Sequence, residues 1–78
     1  MTKDSTLSDA SLTTYSEMAE VVERLPLLLR ETRRQRGMSQ RDVAERTGIT
    51  NATVNRIESG GAAHTRSIIA ILRWLGES

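Results

Sequence analysis

Residues 40–60 read QRDVAERTGITNATVNRIESG, and this stretch decides the fold. Ser39, just ahead of it, suits a helix N-cap, and Asp42 stands at the capping-box position three residues on. Val43 and Ala44 are the inward residues of a helix running to about Thr47. Gly48 ends that helix in a tight turn, where a positive φ is needed. Thr50 caps a second helix with Val54 and Ile57 facing inward, and Gly60-Gly61 ends it. Ala44 falls where the two helices cross closely, so a larger side chain would push them apart. Ile49, Val54 and Ile57 plug the inner side of the pair. The spacing predicts two short helices meeting at a steep angle, the second projecting N-terminus first. A protruding helix of this kind fits the ~12 Å wide major groove of B-DNA.

Working outward, Pro26 cannot continue a preceding helix but suits the first turn of a new one. Leu25, Leu28 and Leu29 give that helix an apolar face, Arg30 to Arg36 a polar one, and Gly37 a stop, so a helix over about 26–36 is expected. On the other side, Thr65 opens a helix with Ile68, Ile71, Leu72 and Leu75 on one face, stopped by Gly76. Upstream, Thr14 and Glu17 fit a capping box ahead of Tyr15, Met18, Ala19 and Val22, predicting a short amphipathic helix over about 15–24. Residues 1–13 are polar and read as a disordered tail. Residues 14–78 then form one domain. No run shows strand alternation, so the expected class is all-α.

The chain has 78 residues and a formal net charge of only +1, but the charge is segregated. Residues 1–23 carry one Lys and five acids, whereas residues 24–78 carry ten Arg and five acids. An acidic leader on a basic body suggests a polyanion as partner of the body, although arginines also simply solvate helix faces. With no cysteine, disulfides and thiolate metal sites are excluded. His64 has no second ligand at metal spacing, and no catalytic cluster of His or paired carboxylates is present, so neither a metal, a cofactor nor an enzyme is expected. No signal segment and no membrane span is recognisable, so a cytoplasmic protein without membrane contact is the expectation.

The segment 40–57 resembles the helix-turn-helix of the Cro and phage-repressor family, also called the XRE family. The flanks extend the resemblance to roughly residues 25–76. Leu29-Arg30 with Arg33, before Gly37-Met38-Ser39-Gln40, resembles the family's first helix and following turn. Ile57-Glu58-Ser59-Gly60 resembles its recognition-helix ending, and Leu72 with Leu75-Gly76 the end of its fourth helix. The resemblance implies a compact bundle of four repressor-like helices, here with one extra N-terminal amphipathic helix. It also implies double-stranded DNA as partner, with bases read by the positions matching Asn51, Ala52 and Arg56.

Chemistry supports such roles and adds Thr53. Asn pairs bidentately with adenine, Arg with guanine, and Ala or a Thr methyl touches a thymine methyl. Phosphate contacts are expected from Gln40, from Thr50 at a helix N-terminus, from the loop amides of Ser59, Gly60 and Gly61, and from Arg66. Asn55 faces either phosphate or solvent. Arg34 and Arg36 are read as solvated. By the resemblance, Gln40 also braces the recognition helix, and Arg33 and Glu58 form an ion pair between the first helix and the recognition helix. The other reading of Arg33 is a phosphate contact.

Family members commonly carry a fifth helix after the Leu-Gly that matches Leu75-Gly76, where this sequence has only Glu77-Ser78. The expectation is that helix 15–24 packs in that place, with Trp74 against it, or forms a dimer contact. The functional reading is a small sequence-specific regulator, a Cro-like or phage-type repressor acting by promoter occupancy as a homodimer on a palindromic operator. The alternative is the antitoxin of a toxin–antitoxin pair, its acidic leader wrapping a basic toxin.

Overall fold

The computed structural model describes residues 14–77; the polar tail expected over 1–13 lies outside them. All regular structure among the described residues is helical: α1 (residues 14–23), α2 (Leu25–Gln35), α3 (Gln40–Thr47), α4 (Asn51–Glu58) and α5 (Thr65–Leu75). Each boundary has a local cause. Pro26 lies in the first turn of α2 and has no N–H to return to α1, so Arg24 becomes a joint with φ −90° and ψ 2°. Arg36-Gly37-Met38 closes α2 as a Schellman motif. Gly37 takes φ 68°, its N–H donates to the Arg34 carbonyl at 3.0 Å, and the Met38 N–H reaches the Arg33 carbonyl at 2.9 Å. Met38 then packs on the core.

The capping box at α3 is complete. The Asp42 N–H donates to Ser39 Oγ at 3.0 Å, and the Ser39 N–H donates to Asp42 Oδ2 at 2.9 Å. These bonds hold the Asp42 carboxyl below the usual carboxylate range, the backbone donor contributing most. Thr50 caps α4 by accepting from the Thr53 N–H at 3.1 Å.

The core consists of Leu25 and Leu29 from α2, Val43 and Ala44 from α3, Val54 and Ile57 from α4, and Ile71 and Trp74 from α5. Ile49, Ile68, Leu72 and Leu75 pack against it while partly exposed. α4 lies on α2 and α3, and α5 closes the other side of the same two helices. Ala44, with 7% of its surface exposed, leaves room for this crossing.

Two expectations are corrected. The N-terminal helix does not complete the core: every residue from 14 to 24 is exposed, including Tyr15, Met18, Val21 and Val22. Thr14 is itself helical, so the start of α1 is not the Thr14 cap. Trp74 is buried, but the group over its ring is the Arg36 guanidinium at 4.5 Å, not α1. Arg36, expected to be solvated, also donates to the carbonyls of Trp74, Leu75 and Glu77 at 2.8, 3.2 and 2.6 Å. A cation on the last carbonyls of a helix satisfies orphan acceptors and complements the helix dipole.

Candidate nucleic-acid interface

α4 buries Val54, Ile57 and Glu58, which share one side of its helix. At 3.6 residues per turn the opposite side belongs to Ala52 and Arg56, one turn apart, with Asn51 and Asn55 on one shoulder and Thr53 on the other. Asn51, Ala52, Asn55 and Arg56 are exposed, and Thr53 is half-buried. The Thr53 hydroxyl lies 2.8 Å from the Thr50 hydroxyl, so the methyl is its free group. The N–H groups of Asn51 and Ala52 in the first turn have no helical acceptor, which makes this end of α4 electropositive as well as prominent.

Beneath this face lies a charge network centred on Glu58, which is 5% exposed. Arg33 holds it bidentately, Nε donating to Oε2 at 2.7 Å and Nη2 to Oε1 at 3.1 Å, and Arg33 Nη1 also donates to the Met38 carbonyl at 3.1 Å. Gln40 Nε2 donates to Glu58 Oε1 at 3.2 Å, and Asn55 Nδ2 donates to Gln40 Oε1 at 3.4 Å. Arg30 adds a bond to the Glu58 carbonyl at 3.3 Å. Burial by itself pushes the Glu58 carboxyl up. The hydrogen bonds from Arg33 and Gln40 and the charges of Arg33 and Arg30 outweigh it, holding the carboxyl below its usual range. The bond to Glu58 raises Arg33 in turn. A chain of polar contacts thus runs from α2 through Glu58 and Gln40 to the Asn55 shoulder of α4, and it fixes the rotation of that helix. The guanidinium of Arg33 is engaged inside the fold rather than presented to a phosphate.

The loop after α4 differs from expectation. The amides of Ser59, Gly60 and Gly61 do not point outward. They donate to the carbonyls of Asn55, Ile57 and Arg56 at 3.0, 3.0 and 2.8 Å. The cause is a second Schellman motif, with Gly60 at φ 85°. The free amides of this loop are those of Ala62, Ala63 and His64, which carry no bond among the described residues and were not singled out from sequence. The pattern Ser59-Gly60-Gly61 at cap, C′ and C″ was the available signal. Gly61 has a second role: a Cβ there would sit 2.7 Å from Arg56 Cγ, so the glycine lets the Arg56 stem lie along the loop.

Arg66 and Arg41 are exposed, and Thr50 presents an N–H beside its capping hydroxyl. Among the described residues no group of acidic, His and Cys side chains could hold a metal ion, and no helix is long and apolar enough to cross a membrane.

A family model described as Helix-turn-helix matches residues 29–78. No curated protein and no solved structure gives a significant match.

Proposed function

Because the chain belongs to the Cro and phage-repressor type of helix-turn-helix proteins, which are sequence-specific DNA-binding transcriptional regulators, we propose that it represses by occupying a promoter as a two-fold dimer. The observation that carries this reading is the exposed face of α4, Asn51, Ala52, Asn55 and Arg56, anchored from below by the buried Glu58. In this reading α4 enters the major groove. Arg56 reads guanine through paired donors, Asn51 reads adenine, and Ala52 with the Thr53 methyl touches thymine. Gln40 and Thr50 meet phosphates on one side of the groove. The free amides of Ala62, Ala63 and His64, with Arg66, meet the backbone on the other. Asn55 spends one amide proton on Gln40 and holds that contact in place.

One short reading helix touches few bases, so a single copy discriminates weakly. Two copies on half-sites about one helical turn apart supply the missing selectivity. Selection of bound DNA from a random duplex pool tests the reading. An enriched palindrome with that spacing supports it; no enrichment at any salt concentration rules out sequence-specific binding, and an enriched single half-site rules out the dimer.

A further inference from the structure

We propose that α1 of one copy docks on the outward face of α5 of a second copy, and that the exchange is reciprocal. This rests on the dimeric regulator described above and names its interface.

α1 is a helix with an apolar stripe that nothing in its own chain covers. Tyr15 is 65% exposed, Met18 50% and Val22 42%, and they recur at helical spacing. A ten-residue helix is marginal in water without a packed face. The remainder of α1 carries Glu17, Glu20 and Glu23 and no basic residue. Two α1 helices paired with each other would bring these acids together, so self-pairing is disfavoured electrostatically.

α5 offers the complement. Its outer side carries Arg66, Ile69, Ala70 and Arg73, again at helical spacing, with Ile69 44% exposed. Together with Trp74 and Arg46 these residues line an open groove between α3 and α5. The groove has an apolar floor and an arginine rim. Among the described residues neither Arg66 nor Arg73 has an ion-pair partner, whereas Arg46 is held by Glu77 at 2.9 Å. An acidic helix with an apolar stripe fits a basic groove with an apolar floor in both charge and character. Occupation by the α1 of a second copy gives a closed two-fold pair. It also keeps the acidic helix on the surface opposite to DNA charge.

The chain has no cysteine, so introduced thiols report the contact without interference. Full-length Val22→Cys protein is mixed with Ile69→Cys protein under mild oxidation. A Val22–Ile69 cross-linked heterodimer that exceeds both homodimers is expected. Predominant Val22–Val22 homodimer overturns the proposal in favour of paired α1 helices. A double variant that closes within one chain, remaining a monomer, overturns it in favour of self-docking. In sedimentation equilibrium, Met18→Asp and Arg73→Glu should each raise the dimer dissociation constant about tenfold or more. Adding Glu20→Arg to Arg73→Glu should recover part of that loss. All these positions are exposed, so the variants fold. Dimerisation unaffected by Met18→Asp, or a wild-type chain that stays monomeric, overturns the interface. Half-site binding by the monomeric variants keeps the DNA-reading function separate: its loss in the dimeric wild type would count against that function alone.

Discussion

Replacing Glu58 by glutamine preserves the size of the side chain and removes its charge. Glu58 accepts from Arg33 Nε at 2.7 Å, from Arg33 Nη2 at 3.1 Å and from Gln40 Nε2 at 3.2 Å. A glutamine oxygen keeps at most part of this set, and its amide nitrogen then faces a donor. Arg33, whose side chain is only 15% exposed, is left with the Met38 carbonyl as its acceptor. Breaking a buried pair from one side costs about 3–5 kcal/mol. The retained Met38 bond places Glu58→Gln at the low end, about 3 kcal/mol. A domain of this size shifts by roughly 4–8 °C per kcal/mol, so the midpoint should fall by about 12–24 °C. Thermal and urea unfolding, followed by helical circular dichroism and by the fluorescence of the buried Trp74, measure this directly.

The same variant tests the electrostatics. The Glu58 carboxyl lies below its ordinary range in the folded protein, with burial opposing the shift and Arg33, Gln40 and Arg30 producing it. A group with a depressed folded pKa contributes stability above its unfolded pKa and loses it as pH falls through the folded value. Wild-type protein should therefore lose stability on acidification across and below the usual carboxylate range. Glu58→Gln should lack that component. A loss below about 1 kcal/mol at neutral pH, the size typical of an exposed pair, together with an unchanged acid dependence, would refute the role given to this network.

Three further outcomes are expected. Arg56→Ala should cost about 1–3 kcal/mol on the preferred site and relax selectivity at one base pair, read from binding to a panel of single-base variants; equal losses on every sequence would make Arg56 a phosphate contact. Gly61→Ala places a Cβ 2.7 Å from Arg56 Cγ and 3.2 Å from the Arg56 carbonyl, so it should weaken binding at that same base pair with little change in melting temperature. Gly48→Ala forces an L-residue to φ 81° with no atom within 4 Å of the new Cβ. Its cost is backbone strain alone, about 1–2 kcal/mol in urea unfolding, and Gly48→Asn should cost less.

What could be read from sequence is what short-range chemistry dictates. Ser39 with Asp42, Gly48 and Thr50 fix the ends of α3 and α4 through contacts within four residues, and the apolar spacing of Val43, Ala44, Val54 and Ile57 fixes their inner faces. The Arg33–Glu58 pair spans 25 residues and came from family resemblance, not from spacing. Arg36 shows the limit: its partners lie 38 to 41 residues away, and nothing in its neighbourhood distinguishes it from the solvated Arg34. The loop after α4 was legible as a helix end but not as a hydrogen-bond pattern. Whether the N–H groups point to solvent or curl back depends on the left-handed turn at Gly60. For α1 the sequence shows an amphipathic helix, but amphipathicity says only that a face needs cover, not which surface supplies it.

The fate of the arginines changes the meaning of the basic body. Of the ten in residues 24–78, Arg30 and Arg33 serve Glu58, Arg36 closes the end of α5, and Arg46 pairs with Glu77. Four positive charges are thus committed to holding the fold. If α1 of a second copy covers Arg73, a fifth is committed to assembly. Arg41, Arg56 and Arg66 remain near the reading face, so bulk charge supplies a smaller share of affinity than the sequence count suggests. Counterion release scales with the number of phosphates neutralised, and few side chains here can neutralise one. Recognition must instead come from direction: the uncapped amides at the start of α4, the free amides of Ala62 to His64, and a reading helix whose rotation is set by a buried carboxylate. That is why a chain with a net charge of +1 can discriminate DNA sequences. It is also why the aim of α4, more than the number of its positive charges, governs what it reads.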